Sequence, residues 1–431
     1  MTRQAYLYFA IMASLLLLVG FLQSWNVAFG ILNLCLISAV MALGVNIQWG
    51  YAGLFNVGIM GFAALGGLTA VLVSMPPVAE AWVAGGKGMG LSLLCLVATI
   101  VAVILVRRFV PEAFRFWATV GMLILGFALI RSQFDPAVEA IEAVNPAHTG
   151  FLGGLGLPIL FSWVLGGLVA AGAAWLIGKI ALSLRADYLA IATLGISEII
   201  IAVVKYEEWL SRGVKNVTGL PRPVPYEIEL VDTAWFINLT HSLGVDITEA
   251  ASIFVKLCYA GLFLTVLIII LWLSERALKS PWGRMMRAIR DNRDAASAMG
   301  KDVTARHLQV FVLGCAVCGI AGAMLTTLDG QLTPSGYIPL RYTFLIWVMV
   351  IIGGSGNNWG AVLGGFVVWF LWIEAEPLGN WLMHSITLGM DDGFWLKDHL
   401  IASAAYTRLI MMGVLLLLVM RFSPRGLIPE R

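Results

Sequence analysis

Long apolar runs separated by short polar interruptions make up nearly all of this chain. They lie at 6–24, 28–48, 51–73, 90–106, 116–132, 157–178, 188–205, 251–273, 308–328, 342–354, 357–373 and 401–420. About 20 apolar residues of helix cross the roughly 30 Å hydrocarbon layer of a bilayer, and most of these runs are near that length. Within each run apolar residues are continuous rather than alternating, which excludes a membrane β-barrel. The pattern predicts an all-α polytopic membrane protein with about 10–12 transmembrane helices, some of them broken by glycine. The runs 342–354 and 357–373 are short and split by Gly353, Gly354, Ser355 and Gly356, which predicts a broken or re-entrant pair.

One polar stretch stands apart. Residues 275–306 carry eight Lys/Arg and four Asp/Glu between two apolar runs. Ser280 suits an N-cap and Pro281 the first helical position, where a missing N–H costs nothing. Trp282, Met285, Met286, Ile289, Ala296 and Met299 then recur at three- and four-residue spacing, one apolar face of an amphipathic helix of about five turns. Arg284, Arg287, Arg290, Asp291 and Asp294 fall largely on the other side. Arg287 with Asp291, and Arg290 with Asp294, stand at i,i+4 spacing for pairing, and Gly300 supplies a C-terminal stop. Two readings fit such a helix: one lying on lipid headgroups, and one gripped by a soluble partner.

Two apolar regions are rich in glycine. One holds Gly50, Gly53, Asn56 and Gly58 and continues to Gly61, Gly66 and Gly67; the other holds Gly353, Gly354, Gly356, Asn357, Asn358 and Gly360 and continues to Gly364 and Gly365. Glycine lets a helix break at membrane depth, where freed backbone groups line a polar path, and paired interrupted segments point to a translocation site. Close helix packing through small residues explains the same pattern. On the first reading Asn56, Gly58, Gly353, Gly354 and Asn357 line the path. Glu198, the one acid deep in an apolar run, joins them, since a carboxylate there is costly and tends to face the bundle interior.

Composition narrows the class further. The 431 residues are 60% hydrophobic and 12% charged, with mean hydropathy +0.90, against about 25% charge in soluble domains. The run at 6–24 carries no cleavage pattern, so a retained signal anchor is expected. With the N-terminus inside, Arg3, Arg107, Arg108, Arg115, Lys179, Arg185, the eight bases of 275–306, Arg421, Arg425 and Arg431 share one side, and the positive-inside rule then predicts both termini in the cytoplasm. The outer loops 133–156, 206–250 and 374–400 are too short for domains of their own, leaving a single membrane domain over 1–431 with the 275–306 loop inside it. Cys35, Cys95, Cys258, Cys315 and Cys318 all sit in apolar runs and read as packing residues. No metal site is expected. His148, His241, His307, His384 and His399 are scattered. No phosphate-binding G-x-x-x-x-G-K-[ST] occurs, so the chain has no ATPase of its own.

Several stretches resemble the M-type permease of Liv-type branched-chain amino-acid ABC transporters. They are 182–195 (LSLRADYLAIATLG) with Glu198; 280–284 (SPWGR) through 288–290 (AIR) to 298–300 (AMG); 353–356 (GGSG); 424–427 (PRGL); and 50–54 (GYAGL) with Gly58, Gly61 and Phe62. The resemblance implies a permease subunit, not an enzyme, of an importer in the bacterial inner membrane. It implies a homologous second permease, cytoplasmic ATPases that bind the ATP, and a periplasmic solute-binding protein, with no nucleic-acid partner. It makes 281–300 a coupling helix, with Arg284, Arg287, Ala288, Arg290, Asp291 and Gly300 toward the ATPase. The chain departs at 216–220 (NVTGL), where the family often has a second glycine in place of Leu220. Branched-chain or other hydrophobic amino acids are the expected cargo, with urea or short amides as the alternative. A gradient-driven secondary transporter would need more intramembrane acids than Glu198 alone.

Overall fold

The computed structural model describes residues 3–146, 149–388, 390 and 395–430; His148 and Arg431 lie outside these. The chain is helical throughout. Helices α1 (Arg3–Leu22), α2 (Trp25–Ala52), α3 (Ile59–Ser74), α4 (Ala79–Phe109), α5 (Glu112–Glu142), α6 (Ile159–Ala181) and α7 (Ala186–Tyr206) follow one another with short connections. A longer connection holds α8 (Glu208–Ser211), a two-residue strand β1 (Val217–Thr218), α9 (Glu227–Val231) and α10 (Ala234–Leu243). Next come α11 (Ile247–Lys279), α12 (Pro281–Asp291), α13 (Arg293–Ala298) and α14 (Val303–Asp329). After β2 (Gln331–Leu332) the chain ends with α15 (Pro339–Gly353), α16 (Asn358–Thr387), α17 (Trp395–Ser403) and α18 (Thr407–Phe422). Among the described residues ten helical segments are long and apolar enough to cross a membrane, and α3 and α15 are shorter apolar helices. The expectation of an all-α membrane protein holds.

Helix α14 stands at the centre, packed against α2, α3 and α6, while α2 reaches on to α11, α15 and α16. Small residues make this possible. Gly66 of α3, Gly166 of α6 and Gly319 of α14 meet at one crossing, where a Cβ on Gly66 would overlap the Gly319 carbonyl oxygen. Gly61, Gly66, Gly67, Gly364 and Gly365 all serve close packing of this kind. The chain is broken only at 53–58 and 354–357. Helix α4 and helix α5 form a separate hairpin, packed mainly on each other and otherwise largely exposed.

Several sequence expectations need correction. The pair 342–354 and 357–373 is an antiparallel hairpin, with Gly353 against Gly360 and Met349 against Gly364. At 15 residues α15 is about 22 Å long and falls short of the hydrocarbon thickness. Most of the supposed loop 374–400 is helix, because α16 continues through Pro377 to Thr387 and α17 begins at Trp395. The supposed loop 133–156 starts as the last turns of α5. The amphipathic segment is not one rod: Asn292 adopts extended backbone and its side chain accepts from Ala295 N at 2.9 Å, ending α12 and capping α13. Asn beats helix continuation there because its side chain satisfies an orphan amide that a longer helix would not leave.

Candidate functional site

The site grows from the two helix breaks. Helix α2 ends in a left-handed glycine, Gly53, at φ 68°. Gly53 N donates to Trp49 O at 2.8 Å and Leu54 N to Gln48 O at 3.0 Å, a Schellman ending. Such an ending leaves other terminal carbonyls without intrahelical partners. One is Gly50 O, and the guanidinium of Arg290 on α12 donates to it. Arg290 Nη1 also reaches Glu430 Oε2 at 2.8 Å, and its Nε reaches Asp291 at 3.2 Å. Burial alone would lower the Arg290 pKa, but hydrogen bonding and charge from Glu430 and Asp291 outweigh it and raise it. A cation at a helix C-terminus also suits the helix dipole.

The second break joins the first. Asn46 of α2 accepts from Gly356 N at 2.9 Å and donates to Asn358 Oδ1 at 3.1 Å. The Tyr51 hydroxyl donates to the same Asn358 oxygen, and Asn358 Nδ2 donates to Glu275 of α11 at 3.0 Å. Asn357 caps α16 by accepting from Trp359 N and donates to Pro429 O at 3.1 Å. The C-terminal segment lies along the end of α15: Leu427 N donates to Ile352 O at 2.8 Å and Ile428 N to Gly353 O at 2.9 Å. Gly354, at φ 115°, takes a conformation that suits only glycine and lies against Ile428 O. One clasp therefore binds the ends of α2, α11, α12, α15 and α16 and the tail.

The 53–58 segment is held as firmly. Trp49, Phe55 and Trp347 form a triangle of rings, 4.2–5.3 Å between centroids. Trp347 Nε1 donates to Asn56 O at 3.0 Å. The Asn56 amide donates to Gln48 at 2.9 Å and its oxygen accepts from Gly58 N at 2.8 Å. Val57 N donates to Thr193 Oγ1 of α7 at 3.0 Å, and Gly58 and Gly61 touch α7 at Thr193 and Ser197. Asn56 and Asn358 are fully buried and hydrogen-bonded.

The amphipathic helix turns its apolar face onto this body. Met286 and Ile289 are buried and Trp282 and Met285 half-buried, whereas Arg284, Ala288 and Asp291 are exposed. Arg287 is half-buried beside Glu275, Lys279 and Glu430 around a cavity of about 320 Å³. Against expectation, Arg290 points inward and Met299 is exposed, because the break at Asn292 resets the helical phase. Among the described residues neither Arg287–Asp291 nor Arg290–Asp294 forms an ion pair; Arg290 is spent on Gly50, Asp291 and Glu430. Gly300, at φ 76°, closes α13 as expected.

Glu198 is not in the interior. The buried face of α7 carries Thr193 and Ser197, and Glu198 is exposed on the opposite face, beside Lys205, Tyr337 and Ile338. Sequence reading missed Asn46, Gln48, Tyr51, Glu275 and Glu430. Asn46 and Gln48 carry a usable signal, since uncharged amides inside an apolar run need buried partners. Gln48 finds Phe311 O and Cys315, and Cys318 packs against Gly44, so both cysteines serve the core.

These features define a multi-pass membrane subunit with a surface-held amphipathic helix tied to two glycine breaks. The family described as branched-chain amino acid transport system / permease component matches residues 27–420, and the chain belongs to it. It is 26% identical over 295 residues to a probable branched-chain amino acid transport permease protein LivM of Methanocaldococcus jannaschii, covering 68% of this chain and 73% of that one. It is 27% identical over 316 residues to the high-affinity LivM permease of Escherichia coli, covering 72% of this chain and 64% of that one, somewhat under two-thirds of the relative's length. The M. jannaschii LivH permease also matches, at 28% identity over 221 residues, 50% of this chain and 60% of that one. No solved structure matches the chain.

Proposed function

We propose that this chain is a membrane subunit of an ATP-driven importer of branched-chain or other hydrophobic amino acids in a bacterial inner membrane, with both termini and α12 in the cytoplasm. The similarity to LivM and LivH supports the cargo and supports a second, homologous permease as partner. The observation that carries the reading is the orientation of α12. Its apolar residues Met286 and Ile289 are buried in the permease itself, so no apolar face remains for lipid, and it offers Arg284, Ala288 and Asp291 to the aqueous side. A rigid polar helix face held this way suits docking to a soluble ATPase.

Coupling then follows from the clasp. Movement of α12 is felt at Gly50 of α2 through Arg290, and at α15 through Glu430 and the tail. Both glycine breaks respond together, and a two-state element biased from an ATPase on one side and cargo on the other is what coupling requires. The Glu198 face of α7 is the one we assign to the second permease. A carboxylate left against hydrocarbon is costly, and a polar path between two subunits removes that cost.

The test is to replace Arg284 and Ala288 together with Glu and co-purify the complex. The ATPase is expected to be lost and ATP-driven leucine uptake abolished, while the thermal unfolding of the permease is unchanged. Full ATPase recovery together with full uptake overturns the docking assignment.

A further inference from the structure

A second feature lies away from the clasp, among α2, α14, α15 and α16. A cavity of about 290 Å³ opens there, near the lower end of the roughly 300–1,000 Å³ typical of small-molecule pockets. Its walls are aliphatic and thioether: Ile37, Met41, Met60, Leu325, Ile346 and Met349. Its rim is polar, made by Asp329, Gln331 and Thr333 at the end of α14 and the turn that follows. Strand β2 in that turn pairs with β1, matching Leu332 to Val217 and Gln331 to Thr218, and Leu220 N donates to Gly330 O at 3.1 Å. The 216–220 segment, where the chain departs from its family, therefore braces the rim, and Leu220 itself is buried.

The cavity holds polar groups with nothing to bond. Asp329 has neither an ion pair nor a hydrogen bond among the described residues, and no basic side chain lines the cavity. Trp369 Nε1, on the wall, is buried without an acceptor. Thr326 and Tyr337 share a hydrogen bond of 3.1 Å at the edge and keep further capacity. An unpaired buried donor is unfavourable by about 1–3 kcal/mol, so such groups normally have a partner. The missing partner is defined by these gaps: a cationic head for Asp329, an oxygen acceptor for hydroxyl and indole donors, and a compact aliphatic body for the walls.

We propose that this cavity is a binding site for the zwitterion of an aliphatic α-amino acid within the permease itself. The ammonium sits at Asp329, the carboxylate faces the hydroxyls and the Trp369 N–H, and the side chain fills the space between Met41, Ile346 and Met349. The assignment rests on the importer reading, and it separates aliphatic amino acids from urea or short amides, which would use neither the acid nor the aliphatic walls. An acyl chain would likewise leave Asp329 without a role.

The test uses the full complex in nanodiscs without its solute-binding protein, and radiolabelled leucine as probe. Saturable binding is expected, displaced by isoleucine and valine but not by urea or acetamide. Asp329→Asn should weaken it at least about tenfold, the loss of one charge-assisted contact. Modification of Ser38→Cys by a thiol reagent, above the background of the native cysteines, should be slowed by leucine. Wild-type ATPase association in both variants shows that they fold. Absence of leucine binding, equal binding by Asp329→Asn, displacement by urea, or displacement by added phospholipid alone overturns the site. Wild-type complex that fails to import leucine with ATP and binding protein present overturns the importer reading instead, whatever the binding result.

Discussion

The α4–α5 hairpin and the core around α14 both use glycine to bring helices together, yet they carry it differently. In the core, Gly66, Gly166 and Gly319 converge from three helices, and Gly353, Gly360 and Gly364 interlock the α15–α16 pair, so each position is closed on several sides. In the hairpin, Gly85 and Gly88 pack only on Ala137 and Ile141 of the partner helix and Gly126 on Thr99, while Gly90 and Gly121 face open space. The hairpin joins the rest mainly at its base. There Val78 N donates to Leu152 O at 3.1 Å, Trp82 Nε1 to the same oxygen at 3.0 Å, and Phe134 stacks edge-on against Trp209. The difference teaches that an apolar helix needs no protein partner to be stable in a bilayer, because lipid tails are as apolar as Leu. What a functional core adds is buried polar chemistry, and that chemistry is confined to the clasped end of α2, α15 and α16.

That contrast can be broken most sharply at Gly66. Gly66→Leu should abolish a monodisperse folded protein, because the new side chain meets α14 backbone that cannot yield and overpacking costs about 3 kcal/mol or more. Gly90→Leu and Gly121→Leu should leave the size-exclusion profile unchanged; equal damage from all three would erase the distinction. Next in size is Asn358→Ala, which strands Asn46, Tyr51 and Glu275. A loss of about 3 kcal/mol in detergent unfolding is expected from buried groups left unsatisfied, with uptake falling further than stability explains. The smallest effect is expected from removing 79–142 and joining its stapled ends with a short linker. ATPase association and the unfolding midpoint should stay close to wild type, and loss of ATPase binding would show that the hairpin takes part in the clasped machine.

Sequence reading went furthest where bilayer physics leaves few choices. The run lengths predicted the helices, Ser280 and Pro281 predicted the start of α12, and Gly300 its final stop. It failed where one side chain had two outlets. Asn292 could continue a helix or cap a new one, and its cap split the amphipathic segment and turned Arg290 inward. Glu198 looked interior because its neighbours are apolar, but helical phase sets Thr193 and Ser197 inward and Glu198 outward. Asn357 and Asn358 looked like path-lining residues; in the fold one caps α16 and the other ties three helices.

By itself the sequence determined the membrane class, the number of helices and the place of the amphipathic helix, because transfer into hydrocarbon depends on the composition of each segment and little else. The tertiary structure alone decided which glycines pack and which break, that Arg290 and Glu430 lock the tail to α2, and that Asp329 faces a small aliphatic cavity. Those outcomes join residues far apart in the chain, and a hydrogen bond or a cavity exists only once helices meet at fixed distances, which no local pattern encodes.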